Sequence, residues 1–185
     1  MDLITAAEAE QFLEITDGAG GDVLGEIITD VSARMAVSTG RTDWGGSSSR
    51  TEYHHGGRPY LLPKYLPVTS VTSVNDDPEY SWGTGTALTA NDDYHISSGD
   101  NLIWCVYGSF MDGHKSVKLV YTGGYSTSTI PAALKSLCKV QVKHEWDVKR
   151  RPGKGSGDEF GVAPGQILPQ VMEGLLHYTP RVPFH

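Results

Sequence analysis

Reactive and ligating side chains in this 185-residue chain come in small, scattered groups. His54 and His55 are adjacent. Neighbours in a strand point to opposite faces, so the two cannot easily share one ion, and no His-Glu-x-x-His pattern accompanies them. Asp76-Asp77 and Asp92-Asp93 look like halves of a calcium loop. Neither has ligands at alternating positions closed by a bidentate Glu, so turn chemistry is the better reading. Gly83-Thr84-Gly85-Thr86 lacks the Lys-Ser/Thr ending and the following helix of a phosphate loop. Ser47-Ser48-Ser49 sits in a glycine loop with no nucleophile elbow around it. Cys105 and Cys138 make neither a disulfide framework nor a zinc site and read as reduced, packed thiols. No nucleophile, base and oxyanion donor come together, so no enzyme, metal or cofactor is expected. Trp82, Trp104, Tyr80 and Tyr94 lie near acidic turns. Aromatics beside Asp can bind sugars, which makes a β-rich glycan-binding module an alternative; cross-strand pairs or core are the commoner use.

Length suggests one domain with appendages, large enough to bury a core without disulfide staples. Hydrophobic residues make up 38% of the chain, with 22 Gly and 10 Pro. That balance assigns much of the chain to turns and loops. The net charge of −7 disfavours tight duplex binding, which needs cations to neutralise phosphates, but it allows a protein that surrounds DNA without gripping it. The opening Met1-Asp2-Leu3-Ile4 does not read as a signal peptide, and no apolar run approaches the ~18 residues of a membrane span. A soluble protein of a reducing compartment is expected. Charge is uneven: residues 1–50 hold 3 basic and 9 acidic side chains, whereas residues 131–154 hold 7 and 2. Acidic helices against one basic helix suit side-by-side packing of copies, or a basic face that meets water or the chain's own first helices.

The elements that must carry these groups are legible. Thr5-Ala6-Ala7-Glu8 fits a capping box and predicts a helix over about 6–13. Asp22 reads as the N-cap of a second helix over about 22–39, with Val23, Leu24, Ile27, Ile28, Val31 and Met35 as its apolar stripe and Gly40 as its left-handed stop. Residues 43–50 read as a flexible loop. From about 51 to 125, short β-type runs (59–66, 68–74, 94–96, 102–107 and 117–121) alternate with turn clusters and predict an antiparallel insertion. Pro131 opens a third helix over about 131–150, with Leu134, Leu137, Cys138, Gln141 and Val148 facing inward. The fold class is therefore α+β: a small bundle of three helices, a β-rich insertion between the second and third, and an extended or helical C-terminal tail. Residues 1–150 form the core, 151–166 a glycine-rich linker and 167–185 the tail.

The tail is rich in large apolar side chains that so short a segment cannot bury on itself. Each is worth about 1.5–3 kcal/mol when buried, and left in water they would form a sticky patch. Either the tail packs back onto its own helices or it docks on another chain. The linker before it favours docking, with 167–178 as an amphipathic helix in a groove and Pro180, Pro183 and Phe184 as an extended anchor.

One ordered set of segments resembles the head–tail connector, or adaptor, proteins of long-tailed bacteriophages. It comprises residues 3–13 (Leu3 to Leu13), Ser38-Thr39-Gly40-Arg41, residues 66–74 (Leu66 to Val74), residues 117–125 (Val117 to Tyr125) and Ile130-Pro131-Ala132-Ala133-Leu134-Lys135. Order and spacing match from residue 3 to about 150. The resemblance implies a structural virion protein made in the host cytoplasm and placed in the neck. There it forms a homo-oligomeric ring, typically of twelve copies, below the portal protein. The ring extends the channel through which double-stranded DNA passes non-specifically, and it offers a platform to a stopper or tail-completion protein. No membrane partner and no cofactor are implied. The family's C-terminal segment reaches the portal. That role maps onto Ile167, Leu168, Val171, Met172, Leu175, Leu176, Tyr178 and Phe184. An acidic wall would keep the passing genome from sticking. Asp22, Glu26 and Asp30, four apart on one helix face, are the candidates to line it. Another neck ring, a stopper or tail terminator, is the alternative within the same assembly.

Overall fold

The computed structural model describes residues 1–16, 18–46, 48–97, 101–150 and 165–179. The chain divides into two units: residues 1–44 with 127–179, and the intervening residues 45–126. The α+β class and the β insertion between the second and third helices are as expected.

The helical unit holds α1 (Ala6–Leu13), α2 (Gly21–Ser38), α3 (Ala132–Arg150) and α4 (Pro169–Leu175), the last followed by a single 3-10 turn. The capping box forms as predicted: the Glu8 amide donates to Thr5 Oγ1 at 3.2 Å and the Thr5 amide to Glu8 Oε2 at 2.9 Å. The start of α2 differs from the expectation. Asp22 lies inside its first turn, and Gly20 is the N-cap residue, without a side chain to cap it. The buried Glu10 of α1 takes over, accepting the Gly20 amide at 3.2 Å. At the far end, Gly40 adopts φ +77, and the Gly40 and Arg41 amides return to the Val37 and Ala36 carbonyls, both at 2.9 Å. This left-handed stop is the one read from Gly40. Leu24, Ile27, Ile28, Val31 and Met35 of α2 are buried with Leu134, Cys138, Val142 and Trp146 of α3. Trp44, assigned by sequence to a flexible loop, is instead 1% exposed, and its indole N–H donates to the Ser32 carbonyl at 2.9 Å. A large ring with a satisfied polar edge is core material.

The β unit holds β1 (Ser49–His54), β2 (Tyr60–Leu61), β3 (Val68–Asp76), β4 (Ala87–Leu88), β5 (Tyr94–Ile96), β6 (Ile103–Cys105) and β7 (Val117–Gly123). Its two antiparallel sheets have strand orders β1-β7-β3-β4 and β2-β6-β5. β7 alternates strictly, burying Val117, Leu119 and Tyr121, as a strand with one face on a core must. These join Val74 of β3 and Leu61, Tyr94 and Ile103 of the second sheet in one cluster with Phe110 and Tyr65. β1 was not among the runs read from sequence, and its Ser49-Arg50 start falls in the segment read there as a flexible loop.

Candidate functional site

The tail is where structure and expectation part. α4 lies on α3, and Leu168, Val171 and Leu175 are at most 1% exposed within their own helical unit. Sequence reasoning assigned all three to the portal; they belong to the chain's own core. The alternative weighed for the tail, packing back onto its own helices, is the one the structure adopts for these residues. Pro169 starts α4 at a position whose missing N–H costs nothing. Gly174 faces Leu137, whose methyl carbons would stand 2.7 Å from any Cβ placed there.

Two polar side chains hold residues 166–178 at either end. Gln141, fully buried in the middle of α3, donates from Nε2 to the Gln166 carbonyl and accepts the Leu168 amide at Oε1, both at 2.9 Å. Arg41, just past α2, donates from Nη2 to the Tyr178 carbonyl at 2.9 Å, and its guanidinium carbon sits 5.2 Å from the centre of the Trp44 ring. Sequence reasoning missed both roles. The signal for Gln141 was present: an amide in the inward stripe of an amphipathic helix needs buried partners. What remains outward on the tail is Met172 at 39% and Leu176 at 44%, with Ile167 and Tyr178 half-buried. Phe184 lies outside the described residues.

Asp22, Glu26 and Asp30 are all exposed on one face of α2. Arg34 is shared between Asp30 and Glu145 of α3, at 2.9 Å each. Lys135 of the basic helix meets Glu8 of α1 at 2.9 Å. This bond, helped by the Thr5 amide, holds the Glu8 carboxyl below its ordinary value. Part of the basic helix thus meets the chain's own first helices, while Lys143, Lys149 and Arg150 stay exposed.

In the β unit the aromatic residues mostly pair with each other. Tyr60 and Trp104 are cross-strand neighbours with ring centres 5.3 Å apart. Tyr53, Trp82 and Tyr80 form a second group, with centres 5.5 and 5.9 Å from Trp82. Tyr80 and Trp82 hold φ values of +60 and +52, unusual for bulky side chains. Asp77 sustains them, accepting the Glu79 and Trp82 amides and the Ser81 hydroxyl at 2.6–2.9 Å. The Ser81 hydroxyl does most to hold the Asp77 carboxyl below its ordinary value. Its neighbour Asp76 is pushed up by burial; Oδ2 takes the Met111 amide at 2.7 Å, and Oδ1 finds no partner among the described residues. Asp77 therefore serves a turn, as read from sequence, whereas Asp76 ends β3 and holds the distant Met111 amide.

His54 hydrogen-bonds Glu52 at 3.1 Å, while His55 turns to His114, ring centres 4.7 Å apart. The adjacent histidines thus go separate ways. Glu52 also accepts the Tyr121 hydroxyl at 2.5 Å, and that oxygen accepts the Tyr65 amide at 2.9 Å. Despite burial, these donors hold the Glu52 carboxyl below its ordinary value. Burial pushes the Cys138 thiol up to about 12, which leaves it protonated and inert. Among the described residues, no group of three or more His, Cys, Asp or Glu could hold a metal ion, and no helix is long and apolar enough to cross a membrane.

No family model and no curated protein matches the chain. Solved structures do share its fold. A chain of the neck of an empty GTA particle computed with C6 symmetry aligns over 97% of this chain and 91% of its own, with TM-score 0.59 and 18% identity. A chain of the virion of the native gene transfer agent (GTA) particle aligns over 99% and 92%, with TM-score 0.61 and 15% identity. A chain of the neck of the native GTA particle computed with C12 symmetry aligns over 98% and 95%, with TM-score 0.51 and 16% identity. Helices and β insertion together thus follow one fold, found in the necks of phage-like particles.

Proposed function

We propose that the chain is a structural subunit of the neck of a phage-like particle. Copies form a head–tail adaptor ring, twelve in number, that docks under the portal, extends the DNA channel and carries the stopper or tail, without catalysis. The observation that supports this most is the shared fold, which spans nearly the whole of this chain and of its neighbours in neck assemblies of C6 and C12 symmetry. The ordered adaptor-like segments read from sequence point the same way. The exposed acids of α2, Asp22, Glu26 and Asp30, line the channel in this reading and repel the passing genome. Docking to the portal falls to the segment beyond Tyr178, which carries Phe184, because Leu168, Val171 and Leu175 are used within the chain's own core.

The test is a particle lacking this chain. It should fill with DNA, fail to retain it and gain no tail. Normal, DNA-retaining tailed particles would refute the reading. An image of the wild-type neck distinguishes the rings: an adaptor touches the portal directly, whereas a stopper or tail terminator sits below another ring.

A further inference from the structure

We propose that the outward face of α4 in one copy packs into a groove at the α2–α3 end of the next copy, forming the lateral contact of the ring; the inference rests on the ring reading above. The groove, about 340 Å³, is lined by the apolar Ile15, Val23 and Trp146 together with Lys149 and Arg150. Val23, read from sequence as part of the inward stripe of α2, is instead 47% exposed, a large apolar side chain left in water beside this groove. The Arg150 guanidinium lies 5.5 Å from the centre of the Trp146 ring, so cation and aromatic surface are presented together. This groove suits an occupant with apolar side chains beside an acid.

The chain carries such an occupant. Met172 and Leu176, four apart, share one face of α4 and its terminal turn and are exposed, with the exposed Glu173 beside them. The opposite face of α4 is already buried against α3. A single copy cannot join the two surfaces. Gln141 and Arg41 hold the segment 166–178 at either end, and α4 meets α3 near Leu137 and Gln141. The groove residue Arg150 stands nine positions beyond Gln141, about 13 Å farther along the helix. Two complementary patches set apart on one molecule make a head-to-tail contact, and such contacts close into rings when the rotation permits. Glu173 opposite Lys149 and Arg150 would fix the register, while Met172 and Leu176 cover Ile15, Val23 and Trp146.

The experiment uses full-length chains with one added cysteine each, Glu173→Cys and Arg150→Cys, incorporated together into particles and treated with a short thiol cross-linker. A chain dimer should appear on a denaturing gel when both variants are present and not with either alone, which also controls for the native Cys105. Glu173→Lys should lower incorporation into the neck at least tenfold, and adding Lys149→Glu with Arg150→Glu should restore it. Circular dichroism of each purified variant should match wild type, since all three positions are exposed. No dimer in necks that hold the normal complement of this chain overturns the lateral contact and leaves the ring reading intact. Cross-linking of the Glu173→Cys thiol to the portal or another neck protein overturns the choice of occupant. Absence of the chain from wild-type necks overturns the ring reading and this contact with it.

Discussion

The Oε1 atom of Gln141 accepts the Leu168 amide at 2.9 Å inside the helical unit, while the same side chain donates to the Gln166 carbonyl. One amide therefore satisfies both polar groups of the chain as it enters α4. Gln141→Leu keeps the volume and removes both bonds. Stranding the buried Leu168 amide should cost about 1–3 kcal/mol. Hydrogen exchange should then show lost protection over 165–179, with α1 and α2 unchanged. Unchanged protection would mean that the apolar contacts alone hold the tail.

Removal of the tail should destabilise the chain as well as affect assembly. Leu175→Ala should cost about 2–5 kcal/mol, the range for emptying a buried leucine site, and lower the thermal midpoint of the helical unit. Met172→Ala, at an exposed position, should change stability by no more than about 0.5 kcal/mol and leave that midpoint nearly unmoved. Equal effects of the two would contradict the observed burial.

The Glu8–Lys135 bond should give stability a definite pH dependence. Its carboxyl is held below the ordinary 4.5, so its stabilisation is fully present above that value and is lost as pH falls through the lower, folded-state value. The pair is partly exposed, and the effect should be on the order of 0.5 kcal/mol. Asp76 works in the opposite sense. Burial raises its carboxyl above 3.8, so its contribution is present at low pH and is lost as pH rises. Denaturant titrations of Glu8→Gln and Asp76→Asn against wild type from pH 3 to 7 should show slopes of opposite sign.

Asp77 should govern the order of the Tyr80–Trp82 loop. Asp77→Ala removes acceptors from the Trp82 and Glu79 amides and the Ser81 hydroxyl. The two left-handed aromatic residues should then relax, and the near-ultraviolet circular dichroism from the Tyr53–Trp82–Tyr80 group should fall while the far-ultraviolet signal stays. Retention of the aromatic signal would show that ring packing alone holds the loop.

Much of the fold was legible because local chemistry agrees with the tertiary structure. The Thr5–Glu8 capping box and the Gly40 stop are written within a few residues each, and the alternation of 117–121 announces a half-buried strand. Three features were not legible. The cap of α2 comes from Glu10 across a turn, so Asp22 was the natural but wrong choice. Ser49 and Arg50 become strand only by pairing with Thr122 and Tyr121. The tail's apolar residues were visible as needing cover, but sequence periodicity does not name the covering surface, and the deciding partners, Gln141 and Arg41, lie 27 and 137 residues from the atoms they bind. The acidic face of α2 was legible in its spacing, since Asp22, Glu26 and Asp30 do share an exposed side.

The backbone crossing at Gly45-Gly46 and Gly124-Tyr125 has an architectural consequence. Gly45 bridges Tyr125, the Gly46 amide donates to the Tyr125 carbonyl at 2.9 Å, and a Cβ on Gly46 would stand 2.5 Å from the Gly124 backbone. The first and last residues of the β unit therefore lie side by side. An insertion with coincident ends behaves as a cassette: its loops can lengthen, shrink or be exchanged wholesale without shifting any helix by a residue. Sequence change can accumulate there while the bundle stays as it is.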